Sequence, residues 1–240
     1  MALAAITLLF VLSVTAMPLL APVFAWAFPA IVPPVYAGDS FATLFLYHAA
    51  LVVTSSIASI VLGLGGAIFA TRRAGAEFRP LLEALATIGQ TFPPVAVLAI
   101  AVPALGYGDL PTFVALALYG ILPILKNSMA GIAGVSPTVL EAADAMGLRP
   151  MQRLWRVELP LAAPLILAGV RVSVIVNIGT ATIGSTVGAV TLGTPIIGGL
   201  IGDKLPYVIQ GAIVVGLFAI VADMGFERLD RRLRRLAARQ

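Results

Sequence analysis

EAADAMGLRPMQRLWRVELP, residues 141–160, is a charged stretch that separates two long apolar runs. The chain as a whole is 60% hydrophobic and only 11% charged, whereas soluble domains average about 25% charged residues. The composition therefore predicts an integral membrane protein. Residues 141–160 are then a water-facing segment that joins two membrane spans.

Apolar runs long enough to cross a bilayer, which takes about 20 helical residues, predict an all-α polytopic membrane protein with six transmembrane helices in one domain, residues 1–240. The predicted spans are residues 4–27, 43–70, 81–102, 110–129, 164–189 and 207–226. A cytoplasmic loop, 130–163, and a basic cytoplasmic tail, 227–240, complete the domain.

The first run has an alternative interpretation as a secretory signal. No Lys or Arg precedes it, and it is longer than the apolar core of about 7–15 residues that such signals contain. We therefore interpret it as a membrane span.

Lysine and arginine distribution predicts the orientation. Alternate linkers and the tail carry 13 of the 15 basic residues, and the opposite side has Lys204 while Arg171 lies inside a span. By the positive-inside rule, both termini of this multi-pass chain face the cytosol. The arginine-rich tail is interpreted as a topological anchor, with contact to anionic membrane lipid as the alternative.

Several function classes are disfavoured by composition. The chain has no cysteine and a single histidine, His48, so we expect no thiolate or histidine metal site and no cofactor. The basic residues cluster at predicted membrane edges rather than on a soluble face, so no nucleic-acid partner is expected.

The segment that contains residues 141–160 has the pattern of helix, turn and helix. Ser136 and Pro137 are suited to the N-cap and first helical positions. Gly147 lies where a left-handed residue would end the first helix. Pro150 is expected to open a second short helix, and Pro160 to stop it.

Charge favours a protein partner for this segment. A helix lying on anionic lipid would explain the arginines of residues 149–156. It would not explain Glu141 and Asp144 on the first helix, because the same lipid would repel them. A cytosolic protein that docks against the segment accounts for both signs of charge.

The run Glu141-Ala142-Ala143, followed by Gly147 and then Leu159-Pro160, resembles the EAA motif of permease subunits in ATP-binding-cassette (ABC) importers. In that family the elbow docks into the ATPase subunit. The resemblance implies that ATPase coupling involves these residues together with Asp144.

Three further stretches, 89–108, 157–189 and 191–200, resemble the glycine betaine/choline/carnitine branch of these permeases, most closely its Yeh-type osmoprotectant members. The resemblance implies the type I ABC importer permease fold in the bacterial cytoplasmic (inner) membrane. It also implies three kinds of partner: a dimer of ABC ATPase subunits, a second permease subunit in a homo- or heterodimer, and a periplasmic substrate-binding protein.

The sequence has no recognisable motif for using ATP to drive transport. It contains no Gly-x-x-x-x-Gly-Lys-Ser/Thr phosphate cradle, because Lys126 and Lys204 follow Leu125 and Asp203 rather than glycine. We expect a non-enzymatic subunit whose ATP is hydrolysed by a partner.

Two alternatives stay open. The first is an importer for another small solute. The second is an intramembrane aspartyl protease, which GYGD at 106–109 resembles. That chemistry needs two neighbouring carboxylates, and the sequence offers Asp109 in an outer loop without a mid-span partner.

Polar residues inside spans are costly unless they face protein or water. Gln90, Thr91, Asn177 and Thr180 are therefore predicted to line a translocation pathway, with hydrogen bonding between helices as the alternative role. The paired prolines at 93–94 are expected to break the third span.

Two GxxxG pairs are further candidates for close helix packing, within this chain or in a permease dimer. They are Gly184 with Gly188 in the fifth span and Gly198 with Gly202 in the last outer linker.

Overall fold

A computed structural model describes residues 2–237 and, of the side chains, those of residues 3–88 and 91–232. Every regular element in this part of the chain is helical. The chain divides into two compact units. The first unit consists of Met1–Ser55, Phe92–Leu116 and Val174–Met224, and the second unit of Ser56–Thr91, Ala117–Ser173 and Gly225–Gln240.

The α-helices are α1 (Ala2–Thr15), α2 (Ala21–Ala27), α3 (Phe41–Ala70), α4 (Arg79–Thr91), α5 (Pro94–Leu105), α6 (Asp109–Ala133), α7 (Pro137–Ala145), α8 (Pro150–Arg153), α9 (Leu159–Thr180), α10 (Gly193–Ile201) and α11 (Leu205–Ala237). Short 3₁₀ segments cover Met17–Leu20, Ala76–Phe78 and Ala181–Val187, and a π-helical turn covers Leu154–Glu158.

Four helical stretches of the described chain are long and apolar enough to cross a membrane. They are Phe41–Ala70, Asp109–Ala133, Pro150–Val187 and Leu205–Arg232. They contain most or all of the predicted runs 43–70, 110–129, 164–189 and 207–226. The total of six spans stays a prediction, because the first and third predicted runs are not single straight helices.

The first predicted run, 4–27, is bent. The helical stretches Leu3–Thr15 and Met17–Ala27 meet at 88°. Pro18 and Pro22 explain the bend, because each lies in the first turn of a new helical segment, where proline is tolerated, and neither can donate to the helix before it. The first predicted run is therefore helical but bent, and its crossing of the membrane as one span stays a prediction.

The third predicted run, 81–102, is divided at the paired prolines. Helix α4 ends at Thr91, and α5 starts at Pro94 after Pro93 in an extended conformation. The predicted break is therefore confirmed. Its cause is the missing N–H of two successive residues together with the restriction that proline places on the residue before it.

Aromatic side chains fill the core of the first unit. Phe10 contacts Phe45 with ring centroids 5.0 Å apart, and Phe218 lies 5.1 Å from Phe45. Edge-to-face geometry, as in both pairs, is a favourable arrangement for aromatic rings. This cluster joins α1, α3 and α11 around the buried Leu44.

Two fully buried polar side chains hold the same unit together. The Leu192 N–H donates to His48 Nδ1 at 3.3 Å, so His48 Nε2 carries the proton that it donates to the Ile178 carbonyl at 3.1 Å. Gln210 Oε1 accepts from the Tyr36 N–H at 3.0 Å. Both side chains are satisfied by backbone groups, as buried polar groups generally must be.

Glycines set the packing of α9 against α6 in the second unit. A Cβ on Gly169 would lie 2.7 Å from the Pro123 carbonyl, and one on Gly120 would lie 2.5 Å from Ser173 Oγ. At Gly169 the two helix backbones approach too closely for a side chain, and at Gly120 a Cβ would collide with the Ser173 side chain. Small residues at helix contacts are typical of membrane helices.

The predicted GxxxG pairs do not form α-helical seams. Gly184 lies in the 3₁₀ segment, and Gly188 follows its end with a φ of +87°. Gly202 likewise stands at the C-cap of α10. Neither pair lies wholly within an α-helix, and the packing role predicted for them stays a prediction. Gly184 faces Thr112 of α6.

We expect Gly184→Ala to lower the free energy of unfolding by about 1–3 kcal/mol, the usual cost of overpacking. The added Cβ would lie 2.5 Å from Thr112 Cγ2. Gly198→Ala is the matched control, because nothing lies within 4 Å of its Cβ position and alanine favours a helix over glycine. Thermal unfolding in detergent measures both, and equal midpoints for the two variants would contradict the packing role.

Candidate functional site

The polar segment of residues 136–160, which we call the elbow, begins as the sequence predicts. Ser136 is the N-cap of α7 and Pro137 is its first residue. The Ser136 carbonyl accepts from the N–H groups of Val139 and Leu140 at 3.0 and 3.2 Å. Its hydroxyl makes no capping bond, so the start of the helix depends on the proline and the backbone.

Gly147 ends α7 in the left-handed conformation, with a φ of +78°. The Leu148 N–H bonds to the Ala143 carbonyl at 3.2 Å, and the Gly147 N–H bonds to the Asp144 carbonyl at 2.9 Å. These two bonds form a Schellman motif, which requires a residue that tolerates positive φ. The predicted role of Gly147 as a helix terminator is confirmed.

The second half of the elbow differs from the prediction. Helix α8 begins at Pro150 but does not stop at Pro160, because the chain continues helically through the π-turn into α9. In the π-turn the Leu159 N–H bonds five residues back to the Leu154 carbonyl. This wider hydrogen-bond spacing accommodates Pro160, which has no N–H to donate.

A chain of four charged side chains ties the two halves of the elbow together. Arg153 Nη1 donates to both Asp144 oxygens, at 2.8 and 2.6 Å, and Arg153 Nε donates to Glu158 Oε1 at 3.0 Å. Arg72 then donates to Glu158, from Nη1 at 3.1 Å and also from Nη2 to the other oxygen. The order is Asp144, Arg153, Glu158 and Arg72.

Glu158 is the centre of this network because it is only 3% exposed. Removing a carboxylate from water is costly unless cations and hydrogen bonds compensate it. Here two guanidinium groups do so, and forked donors match the geometry of a carboxylate. Since Arg72 directly follows α3, the network fixes the elbow to the end of that helix.

The elbow divides its apolar side chains between an inner and an outer face. Ala143 and Leu154 are buried at 1% and 3% exposure, whereas Met146 and Trp155 are 74% and 63% exposed. Large apolar side chains that remain this exposed are typical of a surface that binds a partner. We call Val139, Met146, Met151 and Trp155 the elbow face.

The predicted coupling residues differ in their exposure. Glu141, Ala142, Gly147 and Pro160 are exposed, and Leu159 is half-buried. Asp144 is exposed, but its carboxylate is held by Arg153. Ala143 is buried, so its side chain packs inside the elbow and cannot belong to an exposed contact surface in this conformation.

A polar cleft of about 520 Å³ adjoins the elbow in the second unit. Its lining comprises Thr71, Arg72, Arg73, Ala74, Asp144, Pro150 and Arg153. The cleft therefore lies between the segment after α3 and the first turn of α8. Arg72, Asp144 and Arg153 of the charge network form part of its wall.

The predicted pathway residues lie in separate parts of the chain. Asn177 is fully buried near the end of α9, and Thr180 is half-buried at its last turn. Thr91 is exposed at the end of α4, with its hydroxyl bonded to the Thr87 carbonyl at 2.9 Å. The Gln90 side chain lies outside the described residues. Full burial of Asn177 favours the alternative role of packing between helices.

Sequence reasoning missed Arg72 and Glu158 as functional residues. These two residues bond to each other but are 86 positions apart in the chain, and no periodic pattern relates them. One available signal was the position of Glu158 itself, a carboxylate at the boundary of an apolar run, where an unpaired charge would be costly.

The chain resembles known transport proteins over most of its length. Residues 59–235 match the family described as binding-protein-dependent transport system inner membrane component. The osmoprotectant import permease protein OsmY of Salmonella typhimurium is 38% identical over 186 residues, which is 78% of this chain and 79% of OsmY. The choline transport system permease protein OpuBB of Bacillus subtilis is 39% identical over 186 residues, 75% of this chain and 84% of OpuBB.

A solved structure shares the fold. A chain in inward facing conformations of the MetNI methionine ABC transporter superposes with a TM-score of 0.71 at 21% identity, over 82% of this chain and 99% of that chain. At this level of identity the likeness establishes the fold alone. The order and direction of the helices are therefore those of an importer permease.

We expect Glu158→Gln to destabilise the protein by about 1–3 kcal/mol, because it leaves Arg72 and Arg153 partly buried without a carboxylate between them. Glu83→Gln is the matched control, since Glu83 forms an exposed pair with Arg79 of a kind that contributes about 0–1 kcal/mol. Thermal midpoints and the rate of proteolysis at the elbow measure the difference. Equal midpoints for the two variants would show that the network does not hold the elbow.

Proposed function

Because the chain belongs to the family of inner membrane components of binding-protein-dependent transport systems, we propose that it is the permease subunit of an ATP-driven importer for small quaternary-ammonium osmoprotectants. Glycine betaine, choline and carnitine are the substrates of this class. The observation that carries the proposal is the elbow, whose exposed apolar face and Schellman turn suit docking to a cytosolic partner.

Support for the substrate class comes from the relatives. OsmY is named as an osmoprotectant import permease protein and OpuBB as part of a choline transport system. Each aligns with about three-quarters of this chain at close to 40% identity. An importer for another small solute is the remaining alternative within this family.

The partners follow from what the chain lacks. Its sequence contains no phosphate cradle, so we assign ATP hydrolysis to a dimer of separate ABC ATPase subunits that contact the elbow. A second permease, the same chain or a related one, completes the membrane part of the complex. A periplasmic binding protein delivers the solute. The protease alternative is abandoned, because the family is one of transporters.

The proposed orientation places both termini, the elbow and the basic tail in the cytosol. It rests on the distribution of lysine and arginine between alternate linkers. The elbow face is then available to an ATPase, whereas the turns at 28–40 and 103–108 face the periplasm.

The direct test is reconstitution in proteoliposomes with a candidate ABC ATPase and a candidate substrate-binding protein from the same organism. Uptake of labelled choline or glycine betaine should depend on ATP and on each partner. Uptake that continues without the ATPase would contradict the proposal. If only an unrelated solute were taken up, and its uptake depended on ATP, the proposed substrate class would be wrong but the chain would still be an importer permease.

We expect Gly147→Val to abolish most ATPase co-purification and ATP-dependent uptake. A β-branched residue at positive φ is strained by about 1–2 kcal/mol or more, so the Schellman turn would open and displace the elbow face. Gly147→Asn is the matched control, because asparagine tolerates the left-handed conformation. Pull-down from detergent-solubilised membranes measures the complex for both variants. If the valine variant still co-purified with the ATPase, the elbow would not be the coupling segment.

We expect Thr180→Leu to reduce uptake several-fold while the complex stays assembled, because a half-exposed hydroxyl near the end of α9 would be replaced by an apolar group. Asn177→Leu should instead lower the thermal midpoint, since an unsatisfied buried partner costs about 1–3 kcal/mol. If Asn177→Leu preserved the midpoint and the complex but lost uptake, Asn177 would belong to the pathway.

A further inference from the structure

A second cleft lies in the first unit, between the N-terminal half of α3 and the start of α6. Its volume is about 360 Å³, within the range of about 300–1,000 Å³ that holds small ligands. The lining residues are Tyr47, Ala50, Leu51, Thr54, Asp109, Leu110 and Phe113. This lining contains one carboxylate, two aromatic rings and no cationic side chain.

Backbone geometry places the carboxylate at the cleft. Gly106 and Gly108 both have positive φ, at 81° and 111°, and the Gly108 N–H bonds to the Val187 carbonyl at 2.7 Å. This turn fixes the start of α6 at Asp109. Phe113 is four residues further on, so it lies on the same face of the helix as Asp109.

The Asp109 carboxylate has no hydrogen-bonding partner among the side chains that the structure describes, 3–88 and 91–232. Among the described side chains it takes part in no ion pair, whereas Asp144 and Glu158 of the second unit are each bonded to arginine. Asp109 is exposed, and Tyr47 across the cleft is 53% exposed. A charge with no partner beside two partly exposed rings is available to a ligand.

The three groups fit one chemical class. A quaternary ammonium ion has no N–H to donate, so it is held by the negative faces of aromatic rings and by the Coulomb attraction of a carboxylate. Its methyl groups match the apolar surface of Leu51 and Leu110. A neutral solute would gain nothing from Asp109, and an anion would be repelled by it.

We propose that this cleft, formed by Tyr47, Asp109 and Phe113, is a binding site for the quaternary ammonium group of a cationic ligand. The inference rests on the proposed function, since it locates a contact for that substrate class on the permease itself. Cations such as choline should bind better than zwitterionic betaines, because the carboxylate of a betaine would face Asp109.

A labelling experiment tests the site without transport. The chain has no cysteine, so Ala50→Cys introduces a single thiol in the cleft, and Thr54→Cys provides a second position should the first label poorly. The purified chain is placed in nanodiscs of phosphatidylethanolamine and phosphatidylglycerol, which carry no quaternary ammonium group. The rate of maleimide labelling is then measured against choline concentration.

We expect choline to slow labelling, whereas its neutral carbon analogue, with a tert-butyl group in place of trimethylammonium, should not. Asp109→Asn and Phe113→Leu, each in the cysteine background, should weaken protection about tenfold. Asp203→Asn is the matched control, because Asp203 lies in another turn of the same unit with a φ of 52° that asparagine tolerates equally well.

The neutral analogue, the two variants and the lipid composition distinguish the possible results. Equal protection by choline and the neutral analogue, or protection unchanged in Asp109→Asn and Phe113→Leu, would overturn the proposal. Slow labelling in phosphatidylcholine nanodiscs without added choline would support the site and identify a lipid headgroup as its ligand. Because no ATPase or binding protein is present, failure here would leave ATP-dependent uptake, and thus the proposed function, untouched.

Discussion

Glu158 is buried between Arg72 and Arg153 at the edge of a membrane span. A carboxylate in this position must be compensated, and the two guanidinium groups come from different parts of the chain. One follows α3, and the other belongs to the elbow and also holds Asp144 of α7. The charge of one side chain thus fixes the positions of three segments relative to one another. Hydrophobic packing alone, which is not directional, would not fix them. An elbow built in this way is positioned by electrostatics and still exposes its apolar face.

Local rules predicted local features well. Pro137 and Gly147 mark the two ends of α7, and both were recognisable because their backbone preferences do not depend on the rest of the fold. The break at residues 93–94 was predictable for the same reason, since proline restricts the backbone locally. The fold class and the family followed from composition and from the elbow motif together.

Features that depend on distant residues could not be predicted. Pro160 was expected to end a helix, but the hydrogen-bond spacing of the π-turn before it does not require an N–H from this proline. No single residue type predicts such a turn. The GxxxG spacing of Gly184 and Gly188 drew attention to the fifth span, whereas the close approach of α9 to α6 also depends on Gly120 and Gly169, which show no such spacing. The salt bridge between Arg72 and Glu158 joins residues with no sequence relation at all.

The π-turn at Leu154–Glu158 contains one more residue than an α-turn would. Removing one residue there would rotate everything before it by about 100° relative to everything after it. Met151 would then point to a different side of the chain, while α9 kept its packing. Evolution or engineering can therefore vary the side chains of this segment far more freely than its length.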